Sequence, residues 1–138
     1  MIVSEKKKSI CSSGELADIM KAILAAGDES DRLKEHFWTI GMNTKNVIQY
    51  IDLVSLGSLT ASLVHPRETF KFAVMKSTAE LLLCHNHPSG DTKPSQEDIL
   101  LTRRLVQAGE VLGIQVLDHV IIGDSGHFSF RDNGMLQK

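Results

Sequence analysis

The elements predicted along the chain indicate an α/β fold of the α+β kind, in which helices flank a mixed β-sheet. Short apolar runs bounded by turn-forming residues are typical of strands, and two longer stretches carry apolar residues at helical spacing. The strands and helices do not alternate in a strict βαβ order, so we do not expect a purely parallel sheet. The chain has 138 residues, 42% of them hydrophobic, which suffices for one core without disulfides.

The first half of the chain is predicted to contain one helix and two strands. Ser12 or Ser13 can cap the helix, and Gly27 ends it. The polar residues 1–11 precede this helix, and we expect them to be frayed. Turn-forming residues separate the two strands, and Gly57 ends the second. The predicted elements are a helix at 12–26 and strands at 35–42 and 47–56.

The second half is predicted to contain two helices and several strands. Pro66 suits the first turn of a helix, and a buried strand follows at 81–84. Ser95 begins a longer helix that Gly113 ends. The apolar positions of this helix are Ile99, Leu100, Leu105, Val106 and Val111. The remaining strands are predicted at 114–117 and 120–122, as one bent strand or two, and at 128–130.

Residues 85–98 are the most informative stretch, and they read His-Asn-His-Pro-Ser-Gly-Asp-Thr-Lys-Pro-Ser-Gln-Glu-Asp. His85 and His87 lie two residues apart where the buried strand ends, so their side chains point to one face. Ser95 and Asp98 share one face of the helix that follows. Two histidines and one carboxylate, with a fourth position left to water, form the ligand set of a catalytic zinc.

The same residues also have structural interpretations. Ser95 and Asp98 resemble a helix capping box, with Asp in place of the usual Glu or Gln. A His-x-His pair can also be hydrogen bonded near a surface without binding a metal. Cap and ligand are compatible, because the two carboxylate oxygens of Asp98 can serve different partners. The joint spacing favours a metal site formed by His85, His87 and Asp98.

The spacing His-x-His-x7-Ser-x2-Asp resembles the JAMM signature of the JAB/MPN metallopeptidases. Two flanking blocks, Val-His-Pro-Arg-Glu at 64–68 and Leu-Asp-His-Val-Ile-Ile-Gly at 117–123, are similar to those of the RadC-type branch. The resemblance implies a JAB/MPN (cytidine-deaminase-like) domain at 33–138, preceded by a tail and helix at 1–32. RadC proteins usually carry a helix-hairpin-helix segment ahead of this domain, and we expect that DNA-binding segment to be absent here.

The resemblance implies a zinc-dependent metallopeptidase or isopeptidase that hydrolyses an amide bond of a peptide or protein with a metal-activated water. The family's general base stands at the start of the first core strand, which here is Glu35; Glu68 is the alternative. Ser95 would donate a hydrogen bond to the oxyanion that develops on the attacked carbonyl. The implied cofactor is Zn²⁺.

Other reactive side chains have weaker arguments. Strand alternation places Cys84 on the face opposite His85, so we expect it in the core. Asp118 and His119 adjoin a strand bend; they either line the site and contact its ligands or occupy a surface or core position, and we favour the latter. The histidines with no functional argument are His36, His65 and His127.

Composition narrows the function classes. The net charge of −2 offers little attraction for nucleic acid, so a DNA repair-associated protein is an alternative that we do not favour. A third hypothesis is a non-catalytic MPN interaction domain. Such domains lose the metal ligands, and the ligand positions are intact here, so we do not favour it. The two cysteines do not form a disulfide framework, and there is neither an apolar run of about 20 residues nor a secretory signal. We therefore expect a cytoplasmic protein without membrane contact, of undetermined oligomeric state.

Overall fold

The computed structural model describes residues 2–3, 9–57 and 64–136, with only the backbone described at 2–3. Within these ranges the chain forms a six-stranded sheet in the order β1-β3-β2-β4-β5-β6. The β4–β5 pair is parallel and the other pairs are antiparallel. The strands are β1 (Ile2–Val3), β2 (His36–Met42), β3 (Ile48–Leu56), β4 (Glu80–Asn86), β5 (Gln115–Ile122) and β6 (His127–Ser129). The prediction of a mixed sheet is confirmed.

Helices cover this sheet, which confirms the predicted α+β class. Because β4 and β5 are parallel, the chain crosses over between them through the long helix α5, whose N-terminus lies near the end of β4. Among the described residues, no helix is long and apolar enough to cross a bilayer. The helices are α1 (Ser13–Ala25), α2 (Glu29–Arg32), α3 (Pro66–Thr69), α4 (Lys71–Met75) and α5 (Gln96–Leu112).

The sheet separates two apolar clusters. Alternate residues of β4 point to opposite faces, so Leu82 and Cys84 pack with α1, whereas Leu81 and Leu83 pack with α5. Cys84 is fully buried in the first cluster, as predicted. By the same alternation, His85 faces α5, where Asp98 lies in the first turn. The face of β4 that carries the second core cluster therefore ends at the candidate site.

The boundaries of α1 and α5 agree closely with the predicted ones, whereas the short helix α2 was not predicted. Two of the apolar positions of α5 are exposed. Leu100 is 42% exposed and Val111 is 88% exposed. The residues that α5 buries are Asp98, Leu101, Thr102, Leu105 and Gly109. Two polar side chains on this face bond within the protein, and apolar periodicity alone cannot reveal such a face.

Two further expectations require correction. The single helix predicted from Pro66 is two short helices that meet at Phe70. The frayed end predicted at residues 1–11 is also wrong in part, because β1 pairs with β3 and Ile10 is only 5% exposed. Residues 4–8, which include a run of three lysines, lie outside the described residues. The domain boundary predicted between residues 32 and 33 stays a prediction.

Candidate metal centre

The centre is built by the end of β4, the loop after it and the first turn of α5. The His87 N–H donates to the Ile122 carbonyl 3.0 Å away, which extends the pairing with β5 past the end of β4. The loop then turns back on itself, with Gly90 at a φ of +91°. A Cβ on Gly123 would collide with the Gly90 carbonyl oxygen, so this close approach of two backbones requires glycine. The loop is thereby held against the sheet.

Three side chains that can donate to a metal converge there. His85 Nε2 lies 2.9 Å from His87 Nε2 and 3.2 Å from Asp98 Oδ1, and His87 Nε2 lies 3.1 Å from Asp98 Oδ2. A tetrahedral zinc with bonds of about 2.0–2.1 Å holds its ligand atoms about 3.3 Å apart. The triangle of His85, His87 and Asp98 is therefore the right size and chemistry for zinc.

The charges at this triangle are those that a cation site needs. Burial acts to raise the pKa of Asp98, but its close side-chain contacts with His85 and His87 outweigh burial and hold that pKa well below its usual range. The pKa of His87 is raised, chiefly by its hydrogen bond to Asp98 and to a smaller extent by the charge of Glu35. Asp98 is therefore an ionised carboxylate, and without a metal His87 tends to hold a proton that a metal ion can replace.

Backbone contacts orient His87. Its Nδ1 lies 2.7 Å from the Asp91 carbonyl oxygen. Because a carbonyl oxygen only accepts hydrogen bonds, Nδ1 carries a proton. Nε2 therefore faces His85 and Asp98, the other two candidate metal ligands. The ring is thereby fixed in the orientation that a metal ligand needs.

Ser95 is the N-cap of α5, and the predicted capping box is present. Its Oγ accepts a hydrogen bond from the Asp98 N–H at 3.1 Å, and its own N–H donates to Asp98 Oδ2 at 2.8 Å. The first bond uses an oxygen lone pair and leaves the hydroxyl proton for another partner. Ser95 is exposed beside the triangle, so its cap role does not exclude a second one.

Glu35 immediately precedes β2, next to the centre. Phe37 pairs with His85 across the antiparallel β2–β4 ladder, so two residues further along, Glu35 comes opposite His87 on the same face. The side chain of Asn86 spans this point: its Oδ1 accepts from the His36 N–H at 2.6 Å and its Nδ2 donates to the Lys34 carbonyl at 3.0 Å. Asn86 therefore holds the backbone on both sides of Glu35.

The alternative base lies elsewhere. Glu68 is exposed on α3. Its charge acts on Asp52 of β3, whose pKa is raised first by burial and further by Glu68. Nothing in these contacts links Glu68 to the triangle.

His119 is the residue that sequence reasoning placed least well. It is fully buried, and its Nε2 lies 2.7 Å from His85 Nδ1, so it contacts a member of the triangle. The favoured interpretation is right in that His119 is a core residue with both ring nitrogens bonded, and the less favoured contact with a site ligand is present as well. Asp118 does have a structural role, since it accepts hydrogen bonds from Ser129 and from the backbone of Arg131, and so ties β5 to β6 and the residues after it. The run Val-Ile-Ile after His119 marked a buried strand and was the available signal.

The RadC-like JAB domain family matches residues 10–135 of this chain. The chain belongs to this family. Its JAB/MPN architecture is thus confirmed, and the JAB-domain family includes metalloproteases.

Relatives from archaea and bacteria agree with this assignment. The UPF0758 protein of Methanosarcina acetivorans is 45% identical over 135 residues, which cover 98% of this chain and 57% of that protein. The UPF0758 protein of Moorella thermoacetica is 56% identical over 103 residues, which cover 75% of this chain and 45% of that protein. The chain thus spans about half the length of the curated relatives it matches.

Proposed function

We propose that this RadC-like JAB domain is a zinc-dependent metallopeptidase or isopeptidase of the JAMM type, which hydrolyses an amide bond in a peptide or protein. The observation that supports it most is the triangle of His85, His87 and Asp98, which has the size and charge of a three-ligand zinc site. A three-ligand site keeps a position open for chemistry, whereas structural zinc sites are usually closed by four protein ligands.

In this proposal, His85 and His87 provide neutral nitrogens and Asp98 a carboxylate oxygen. Zinc bound there would supply Lewis acidity and lower the pKa of a coordinated water to about 7. The buried positions of His85 and Asp98 exclude competing water from two sides. The half-buried His87 leaves the third side accessible to a substrate.

Glu35 is the proposed general base. Two observations support this role: the β2–β4 register, extended two residues past Phe37 and His85, sets Glu35 opposite His87, and the Glu35 charge acts to raise the pKa of His87. There it would accept a proton as the amide is attacked and pass that proton to the leaving amine. The clamp formed by Asn86 on the flanking backbone supports this role, because a base must be held within hydrogen-bond reach of the proton it takes.

An open cleft of about 410 Å³ borders His87, but its other walls come from α1 and from Asn86 and Ile122, on the sheet face opposite His85, so it carries no substrate assignment. It runs between the C-terminal end of α1, the loop after β4 and the end of β5. Residues that line it include Lys21, Leu24, Leu33, His87 and Asp124.

The direct test uses the purified chain with a panel of peptide and isopeptide substrates. We expect cleavage that a chelator abolishes, that added zinc restores and that the His85→Ala variant lacks. Labelled duplex and single-stranded DNA, titrated at physiological salt on the same preparation, test the alternative. Selective DNA binding without cleavage of any amide would overturn the proposal.

Two variants of Ser95 should distinguish its role as a helix cap from a role as hydrogen-bond donor to the oxyanion. Ser95→Thr keeps both the cap and the hydroxyl proton, so we expect near wild-type turnover. Ser95→Asp keeps a good cap but has no proton to donate, and we expect turnover to fall by about 10²–10³-fold if Ser95 stabilises the oxyanion. Steady-state kinetics and zinc content of each variant are measured together. Equal turnover in both variants would reduce Ser95 to a helix cap.

The pH dependence of zinc binding should follow His87. The raised pKa of His87 lies above the ordinary value of about 6.5, and below it zinc must displace one proton. The logarithm of the affinity should therefore rise by about one per pH unit up to that pKa and level off above it. Asp98 adds no slope near neutral pH, because its pKa is held low. Zinc titrations against a competing chelator at several pH values measure this; an affinity independent of pH between about 5.5 and 6.5 would contradict it.

A further inference from the structure

A buried series of hydrogen-bonded side chains leads away from the triangle on the far side of His85. His85 Nδ1 lies 2.7 Å from His119 Nε2, and His119 Nδ1 contacts the hydroxyl oxygen of Thr102. That hydroxyl lies 2.7 Å from the backbone carbonyl oxygen of Asp98, so the series returns to a residue of the triangle. His85 and His119 are 0% exposed and Thr102 is 2% exposed, so bulk water does not reach these bonds.

The direction of each bond follows from the number of protons available. The Asp98 carbonyl oxygen only accepts, so the single hydroxyl proton of Thr102 must point to it. The Thr102 oxygen then has only lone pairs to offer His119. His119 Nδ1 must therefore be the donor in their contact.

His119 carries this one proton and no second. Its ring stacks on Phe130 at 4.8 Å with 7° between the planes and meets the edge of Phe37 at 6.0 Å. A second proton would create a cation between aromatic rings, with no carboxylate among its hydrogen-bond partners, and burying such a charge is costly. His119 Nε2 is thus an acceptor, and His85 Nδ1 must donate to it.

We propose that Thr102 and His119 are positioning residues that hold His85 in the tautomer with its proton on Nδ1. This leaves the Nε2 lone pair of His85 directed at His87 and at the Asp98 carboxylate 3.2 Å away, so the contact without a proton lies where a metal ion would sit. In the opposite arrangement, Nε2 would carry the proton, and the oxygens of Thr102 and Asp98 would face each other at 2.7 Å with no proton between them. This inference rests on the proposed function at one point only: the lone pair of His85 Nε2 is taken to bind zinc.

The proton positions can be measured in the metal-free full chain. Long-range ¹H–¹⁵N correlation spectra distinguish protonated from unprotonated ring nitrogens, at roughly pH 8 where histidine is ordinarily neutral. We expect both His85 and His119 to be protonated at Nδ1 and unprotonated at Nε2. Protonation of either ring at Nε2 overturns the proposal.

Variants of Thr102 test the consequence for metal binding. Thr102→Val removes the hydroxyl at nearly constant shape, and Thr102→Ser restores it. We expect Thr102→Val to show a mixture of His85 tautomers and a zinc affinity about 10–100-fold weaker, the usual effect of losing an outer partner of a metal ligand, and Thr102→Ser to regain both. Unchanged zinc affinity and an unchanged His85 tautomer in Thr102→Val overturn the proposal.

Thr69 provides a matched control. Its buried hydroxyl also donates to a carbonyl four residues earlier, that of His65 at 3.1 Å, but it lies on α3 and, within the described ranges, bonds to no imidazole ring. Thr69→Val should lower the melting temperature without changing zinc affinity. If Thr102 has a purely structural role, Thr102→Val will likewise lower the melting temperature and leave zinc affinity unchanged. That result would overturn the proposal.

His119 variants provide a second, independent measurement. His119→Gln keeps an acceptor for His85 Nδ1, whereas His119→Leu removes it, so zinc should bind the Gln variant more tightly than the Leu variant. If the Leu variant does not fold, the spectra of the wild type and of the Thr102 variants still decide the question. A wild-type chain that binds no zinc would overturn the metal site proposed above, and the spectra would still establish or refute the proton positions.

Discussion

In the Glu35→Gln variant, we expect amide hydrolysis to fall by about 10²–10⁴-fold, with zinc content and melting temperature unchanged. The amide is nearly the same size as the carboxylate but cannot accept a proton. Glu35 is partly exposed and precedes β2, so its replacement removes no core contact. Turnover, elemental analysis and thermal unfolding on one preparation measure the three quantities.

Glu68→Gln is the matched control for this experiment. It removes a carboxylate of the same length from an exposed position on α3, where the charge acts on Asp52 and not on the triangle. We expect its turnover to equal that of the wild type. If Glu35→Gln is fully active and Glu68→Gln is not, the base has been assigned to the wrong residue.

The parts of the site that follow from local periodicity could be predicted from the sequence. His85 and His87 share a face because strand side chains alternate, and Ser95 caps α5 with Asp98 because helix starts follow a short, regular code. Both rules act over at most a few residues. For the same reason, most boundaries of helices and strands were predicted to within about two residues.

The parts that depend on strand pairing could not be predicted in this way. His119 reaches His85 because β5 pairs in parallel with β4, with Leu83 opposite His119, so that His85 and His119 share a face. These two histidines are 34 residues apart in the chain, and no local pattern specifies their register. Glu35 is a similar case: family resemblance singled it out, and the β2–β4 register supplies the physical reason.

The polar face of α5 shows a different limit. Thr102 and Asp98 are buried because their hydrogen bonds are satisfied inside the protein, while the apolar Val111 is largely exposed. Hydrophobic patterning assigns a helix face by its apolar residues and therefore misplaces a face that builds a polar site.

Replacing Asp98 should have the largest effect on metal binding. In Asp98→Asn, the side-chain oxygen can still accept from the Ser95 N–H, so much of the cap is retained while the negative charge is lost. We expect zinc affinity to fall by more than the roughly 10–100-fold that outer partners of metal ligands contribute, and hydrolysis to fall to background. Zinc titration against a competing chelator and turnover at saturating zinc measure the two effects.

The neighbouring acid gives the control that decides the interpretation. Glu97 is exposed in the same first turn of α5, so Glu97→Gln removes one negative charge from the same helix end but no member of the triangle. Any general loss of favourable charge at the helix N-terminus affects both variants by a similar small amount. If zinc affinity falls equally in Asp98→Asn and Glu97→Gln, Asp98 acts only through its negative charge at the N-terminus of α5. A large loss confined to Asp98→Asn supports direct coordination, because Asp98 is the one carboxylate among the described residues within 3.2 Å of both His85 Nε2 and His87 Nε2.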